Sequence, residues 1–222
     1  MNFKSIIKMN MKIKTLFFVL VTALTGVHAQ TLEAALLPEC QVLDTAYTLP
    51  TLYMEAAKLD LIASKWPNEW AANYYAAYAK ARLSYAEPNP KKKDLILDQG
   101  DKYLEKVLTL KGDSSEKHVL AAMLANARLA VDGKNRWQKF GEIFEAHLNK
   151  AKALNENNPR IYHLKGTTVF YTPKMFGGGP KNAKEYFLKA KDLFDKESKA
   201  TPLVPYWGAS ANAYLLSECD KD

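Results

Sequence analysis

Residues 158–195 have the sequence NPRIYHLKGTTVFYTPKMFGGGPKNAKEYFLKAKDLFD, and this stretch decides the fold of the chain. Asn158 can cap a helix, because its side chain can accept a hydrogen bond from a backbone amide of the first turn. The proline that follows it suits the first helical position, since it needs no amide hydrogen bond and already has a helical φ. Apolar residues then recur at helical spacing up to Thr172–Pro173, where the residue before proline resists the α conformation. After the glycines at 177–179, Pro180 can begin a second helix with one apolar stripe. The stretch therefore predicts a helix, a loop and a second helix.

Small and large residues lie at fixed distances within these two helices. Tyr162 lies four residues before Gly166, while Ala183 is followed by Phe187 four residues later and by Ala190 three residues after that. This pattern resembles the tetratricopeptide repeat (TPR), and the resemblance implies two antiparallel helices that approach closely at the small residues and stack on neighbouring repeats. Sixteen residues separate Gly166 from Ala183, more than in a regular TPR, so we interpret the TPKMFGGG segment as an insertion.

Two earlier segments repeat this organisation. Ala77, Ala122 and Gly166 occupy the small position of three successive first helices, with spacings of 45 and 44 residues; a standard TPR has about 34. We expect Asn68 to cap the first helix of one unit, and Asp113 with Glu116 to form a capping box at the start of the next. The sequence therefore predicts an all-α fold, an α-solenoid of about three divergent TPR-like helix pairs. An unrelated helical bundle is the alternative.

Irregular units are expected at both ends of such a stack, because one face of each has no neighbour. Residues 32–64 predict an N-terminal helical cap of two helices, with Pro38 and Pro50 near their starts. A C-terminal closing helix is predicted after the Thr201–Gly208 segment. The order of NPR, TP-MFGGG and P-WG is similar to that in a group of secreted bacterial TPR-like proteins.

Residues 1–29 are predicted to be a signal peptide. Four lysines precede an apolar run from Leu16 to Val27, and Val27 and Ala29 are small residues at the positions that a signal peptidase recognises. Residues 30–222 would then form a single domain, periplasmic or secreted. No membrane insertion is expected after removal of the leader, and the apolar run from Leu16 to Val27 is itself too short for a stable span. A retained N-terminal anchor is the alternative.

The charge of the chain gives no reason to expect nucleic-acid binding. Removal of the leader lowers the formal net charge from +7 to +3, and basic residues alternate with acids along the helices. The two cysteines, Cys40 and Cys219, lie near opposite ends of the mature chain. A bridge is chemically allowed in an oxidising compartment, but a stack of helix pairs separates its ends and favours two unbridged thiols.

No catalytic or metal-binding motif is recognisable. The sequence contains no GxSxG, HExxH or CxxC, and its four histidines are scattered without a carboxylate at ligand spacing. The GGGPK run has no preceding strand and no Gly-Lys-Ser/Thr ending, so a structural hinge is favoured over a phosphate loop. We therefore expect a protein that is not an enzyme and that uses neither a cofactor nor a metal.

A TPR-like stack offers a groove lined by its first helices, and aromatic, Arg and Asn side chains there suit a peptide or small ligand. The predicted groove residues are Tyr74, Tyr78, Arg82, Met123, Asn126, Arg160, His163, Phe170 and Tyr171. For Tyr74, Tyr78 and Met123, a role in the core between neighbouring units is the alternative.

Two functions follow from this groove. The first is an interaction module that binds a peptide or protein partner. The second is a small-solute-binding component associated with a transporter, in which the FGGG loop closes over the ligand. This alternative rests on a similarity of the glycine-rich insertion to the TPR-type periplasmic component of some solute transporters.

Overall fold

The computed structural model describes residues 31–197 and 201–221, and these residues form helices connected by short loops, with no β-strand among them. The predicted leader, residues 1–29, lies outside the described residues. The α-helices are α1 (Leu32–Thr45), α2 (Leu49–Lys65), α3 (Trp70–Ala86), α4 (Pro90–Thr109), α5 (Ser114–Val131), α6 (Gly133–Leu154), α7 (Pro159–Tyr171), α8 (Pro180–Phe194) and α9 (Ala209–Glu218). No helix in the described ranges is both long enough and apolar enough to cross a bilayer.

The helices pack in consecutive pairs. Helix α1 packs on α2, α3 on α4, α5 on α6 and α7 on α8, while α9 packs on α8 and closes the stack. Helices α3, α5 and α7 also contact one another in order, so the first helices of successive pairs share one face. The predicted α-solenoid is therefore confirmed, with its N-terminal pair and its closing helix.

Small residues allow the close approaches within the pairs. Ala77 and Ala122 are fully buried, and Gly166 is buried against α8. A Cβ atom on Gly166 would lie 2.7 Å from a ring carbon of Phe187. A Cβ atom on Gly100 would lie 3.0 Å from Leu124 and 3.2 Å from Lys80. A larger side chain at Gly166 would require Phe187 to shift, and one at Gly100 would press on Leu124 of the next pair.

Two of the predicted helix starts are confirmed. The Asn158 side chain accepts a hydrogen bond from the Arg160 amide at 3.0 Å and caps α7. The Asp113 side chain accepts one from the Glu116 amide at 2.9 Å and caps α5. The second half of the capping box is wrong, because the Glu116 carboxylate turns into the protein interior and bonds Tyr74 there.

The predicted cap at Asn68 is also wrong. Helix α3 follows Glu69, whose side chain makes no capping hydrogen bond. The buried Asn73 side chain instead donates to the carbonyl oxygens of Pro67 (3.0 Å) and Glu69 (2.8 Å), so the turn is fixed from inside the helix. Pro38 does not lie near a helix start but inside α1.

Most of the buried apolar side chains belong to one cluster that runs from α1 to α7 and includes Trp207. A smaller cluster joins α7, α8 and α9 through Ala183, Phe187 and Leu215. Cys40 belongs to the first cluster and Cys219 to the second, and no disulfide joins them.

Candidate functional site

The shared face of α3, α5 and α7 is partly covered by the chain itself. Residues 201–208, which we call the C-terminal strap, precede α9 and lie across this face. Trp207 stacks on Tyr78 with ring centroids 4.6 Å apart, and its indole nitrogen donates to the Tyr74 hydroxyl at 3.0 Å. The Tyr75 hydroxyl donates to the Val204 carbonyl at 3.4 Å. The strap therefore fills the half of the groove near the N-terminal ends of the first helices.

Beneath the strap lies a buried network of charged and polar side chains. Arg160, with 1% of its surface exposed, donates to both carboxylate oxygens of Glu197 (2.7 and 3.2 Å) and to Glu116 (3.3 Å). Glu116 also accepts from the Tyr74 hydroxyl (2.7 Å) and from the Asn158 amide nitrogen (2.6 Å). The network links α3, α5, α7 and the segment after α8. Removal of Arg160 would leave the buried Glu116 carboxylate without its cation.

The electrostatics of this network reflect its burial. Burial raises the pKa of Glu116 above its usual value, although Arg160, Tyr74 and Asn158 each lower it. Burial alone would lower the pKa of Arg160, but Glu116 and Glu197 outweigh that effect and raise it. The Arg160 guanidinium also lies 5.5 Å from the Trp207 ring centroid, within the range of a cation–π interaction.

His163 is neutral and closed off from solvent. Burial, together with the charges of Arg160 and Arg82, lowers its pKa to about 4. Its Nδ1 atom lies 3.4 Å from the side-chain oxygen of Asn212, and Asn212 is itself held by a 2.9 Å hydrogen bond to the Phe187 carbonyl. Only 6% of the His163 surface is exposed, and its Nδ1 atom lies against Asn212.

The other half of the predicted groove contains more exposed side chains, Tyr85 among them. The Tyr85 hydroxyl donates to the Asn126 side-chain oxygen at 2.7 Å, and the Asn126 nitrogen donates to the Thr168 hydroxyl at 3.0 Å. These bonds run across α3, α5 and α7 near their C-terminal ends. The Tyr171 side chain is 71% exposed, and its ring meets that of Phe170 at a centroid distance of 5.1 Å.

Arg82 lies at the α3 side of this open half. Its guanidinium donates to the Tyr78 hydroxyl at 3.1 Å and to the Ala46 carbonyl at 2.8 Å. We define the open half-groove by Arg82, Tyr85, Asn126, Phe170 and Tyr171.

The nine predicted groove residues therefore fall into two groups. The buried group consists of Tyr74, Tyr78, Met123, Arg160 and His163. Tyr74 and Arg160 belong to the buried network, and the rings of Tyr78 and His163 lie against Trp207 of the strap. Arg82, Asn126 and Phe170 are half-buried, and Tyr171 is exposed. Their role in binding stays a prediction for both groups.

Sequence reasoning missed Trp207, Glu197 and Tyr85. Two prolines of the strap, Pro202 and Pro205, signal an extended segment, but nothing local to Trp207 indicates which helices it covers. The part of the chain that the structure describes contains no group of three or more His, Cys, Asp or Glu residues placed to hold a metal ion.

Comparison with known proteins gives a family and a similar solved structure. The structure is the HusA haemophore from Porphyromonas gingivalis, to which this chain is similar with 29% sequence identity and a TM-score of 0.72, over 89% of this chain and 95% of that one. No curated protein matches the sequence. The model of the family of regulator of microtubule dynamics proteins 1-3 matches residues 58–204, about two thirds of the sequence. The chain therefore belongs to the family of regulator of microtubule dynamics proteins 1-3.

Proposed function

We propose that this protein is an exported, non-enzymatic binding protein that carries haem or a similar flat, carboxylated ring molecule in the open half-groove. The observation that carries the proposal is the similarity to a haemophore over nearly the whole of both chains. Export rests on the predicted leader at residues 1–29. The absence of a catalytic role is proposed because Glu116, Arg160 and His163 have other side chains of the fold as their partners.

The open half-groove has the chemistry that such a ligand needs. Flat rings such as Tyr85, Phe170 and Tyr171 contribute apolar contact area at low conformational cost. A guanidinium group such as that of Arg82 can pair with a carboxylate of the ligand. The exposed Tyr171 offers the largest accessible ring surface among the predicted groove residues.

We further propose that the ring system, rather than the iron, is recognised. His163 is buried and bonded to Asn212, so it cannot serve as an axial ligand without rearrangement. Tyrosine is a known iron ligand in haem proteins. Partial burial, with Tyr214 and Glu218 nearby, raises the pKa of Tyr171 above its usual value, which disfavours the phenolate that would bind iron.

Titration of the leader-free protein with haemin and with iron-free protoporphyrin IX tests this function. We expect both to quench protein fluorescence and to shift the Soret band. Tyr171→Ala should weaken binding by about tenfold, as expected for an aromatic side chain that provides much of the contact area of a ligand. Trp137→Ala is the matched control, because Trp137 is 65% exposed on α6, the second helix of its pair. Equal affinities of wild type and Tyr171→Ala would contradict the proposed site.

A peptide or protein partner is the second candidate, and the strap favours it. The groove already holds a non-helical segment of the chain with two buried prolines and a buried tryptophan, so its chemistry suits such a peptide. On this candidate, recovery of a specific partner from the native envelope would fall with Arg82→Ala and would not be changed by saturating haemin. A TPR-like fold would also account for a peptide-binding groove, and the TPR resemblance itself stays a prediction.

A further inference from the structure

The loop between α7 and α8 presents two large apolar side chains to solvent. Met175 and Phe176 lie in a short 3₁₀ turn, Lys174–Phe176, and are 83% and 72% exposed. Met175 is the most exposed large apolar side chain in the described part of the chain. We call these two residues the apolar tip. Neither packs against the core, so the fold itself does not account for their presence there.

The backbone of this loop is fixed rather than loose. The Gly179 amide donates to the Val169 carbonyl at 2.9 Å, which ties the loop to α7. The Asn182 side chain donates to the carbonyls of Gly177 (3.1 Å) and Gly178 (3.2 Å), which ties it to α8. Gly177 and Gly179 have φ values of 80° and 100°, a region that favours glycine. The loop thus holds the apolar tip outward, and its backbone loses little conformational entropy when the tip binds.

Lysines lie beside the tip in the sequence. Between Glu156 and Glu185 the sequence contains five basic residues and no acidic one, and three of the five pair with acids of other segments. Lys174 directly precedes the tip, and Lys181 lies in the first turn of α8. Lys184, one turn further along, pairs with Asp220 at 2.5 Å. An apolar projection with lysines beside it is the arrangement by which proteins bind the interface of a bilayer that contains anionic lipids.

We propose that the loop Lys174–Gly178 is a membrane-docking site for anionic phospholipid. Met175 and Phe176 enter the headgroup region, where their apolar surface leaves water, and Lys174 and Lys181 lie at the level of the phosphates. The charge around the tip selects this partner over an uncharged apolar surface. Docking through two side chains is weak and reversible, and it requires no helix that spans the bilayer. It does not depend on the ligand proposed for the open half-groove.

Flotation of the leader-free protein with vesicles tests the proposal. Vesicles of phosphatidylcholine alone are compared with vesicles that also contain phosphatidylglycerol. We expect binding only to the anionic vesicles, with a decrease at high salt. The double variant Met175→Ser/Phe176→Ser should lower the partition coefficient by at least about tenfold, because two apolar side chains no longer leave water. Lys181→Gln should lower it by about fivefold.

Leu61→Ser is the matched control, because Leu61 is 72% exposed on α2, remote from the loop in sequence, and should leave vesicle binding unchanged. Far-UV circular dichroism and porphyrin titration of the double variant show whether the fold and the half-groove are intact. The proposal is overturned if wild type does not float with the anionic vesicles, or if the double variant floats as well as wild type. Loss of vesicle binding with unchanged porphyrin affinity would separate this site from the proposed function.

Discussion

Replacing Arg160 with methionine should destabilise the fold, because it leaves the buried Glu116 carboxylate without its cation. Arg160 is 1% exposed and Glu116 is 4% exposed. Loss of one partner of such a buried pair costs about 3–5 kcal/mol. Glu116 can limit the cost by binding a proton. From its ordinary pKa of 4.5, protonation at neutral pH costs about 3 kcal/mol. We therefore expect the free energy of unfolding to fall by about 3–4 kcal/mol at neutral pH.

The same reasoning gives the pH dependence of the loss. Once Glu116 is neutral in the folded variant, its folded pKa lies above the unfolded value, so protonation favours the folded state as the pH falls. The difference between wild type and Arg160→Met should therefore shrink as the pH falls toward that of the ordinary Glu titration, and the raised pKa of Glu116 in wild type offsets part of this change. Urea unfolding followed by far-UV circular dichroism measures the difference at each pH. The double variant Glu116→Gln/Arg160→Met should recover part of the loss at neutral pH.

Arg136→Met is the control for this experiment. Arg136 donates to both carboxylate oxygens of Asp94 (2.7 and 2.8 Å), but 29% of its side chain is exposed, so the pair is screened by solvent. We expect a loss below about 1 kcal/mol. A similarly small loss for Arg160→Met at neutral pH, or a loss that does not change with pH, would refute the reasoning about the buried network.

Three further changes test other parts of the fold. The pKa of His163, about 4, lies below the usual value of 6.5, so between those pH values only the unfolded chain binds a proton at this residue. Acidification from pH 6.5 to 4 should therefore lower the free energy of unfolding by about 3 kcal/mol. The free energy of unfolding of His163→Asn should lack this pH dependence. Gly166→Ala places a Cβ atom 2.7 Å from Phe187, so a net loss of about 1–2 kcal/mol is expected despite the better helix propensity of alanine; an unchanged midpoint in urea would contradict the close approach. Trp207→Ala removes the ring stacked on Tyr78 and should cost about 3–5 kcal/mol, whereas unchanged thermal unfolding would show that the strap does not stabilise the groove.

The helix pairs could be predicted because their signals are local. Asn158 and Asp113 cap helices within three residues of themselves, and the small residues Ala122 and Gly166 mark close approaches at a regular spacing. Asn68 failed as a cap because a buried side chain, Asn73, fixes the turn from within the helix. One local side-chain contact thus replaced another, four and six residues along the chain rather than at the cap position.

The division of the groove could not be predicted from the sequence. Trp207 bonds Tyr74, which lies 133 residues earlier in the chain, and no pattern local to either residue indicates that contact. Glu116 fits a capping box by spacing, yet its carboxylate pairs with Arg160, 44 residues away. The residue types of the groove were therefore predictable, but which of them the strap covers depends on long-range packing.

The open half-groove is tested most directly by the equilibrium affinity of the leader-free protein for iron-free protoporphyrin IX, measured beside haemin for wild type and Tyr171→Ala. The account predicts that wild type binds both compounds with dissociation constants within about threefold of each other, and that Tyr171→Ala weakens both by about tenfold. Binding of neither compound, or binding of haemin alone with no effect of Tyr171→Ala, would contradict it.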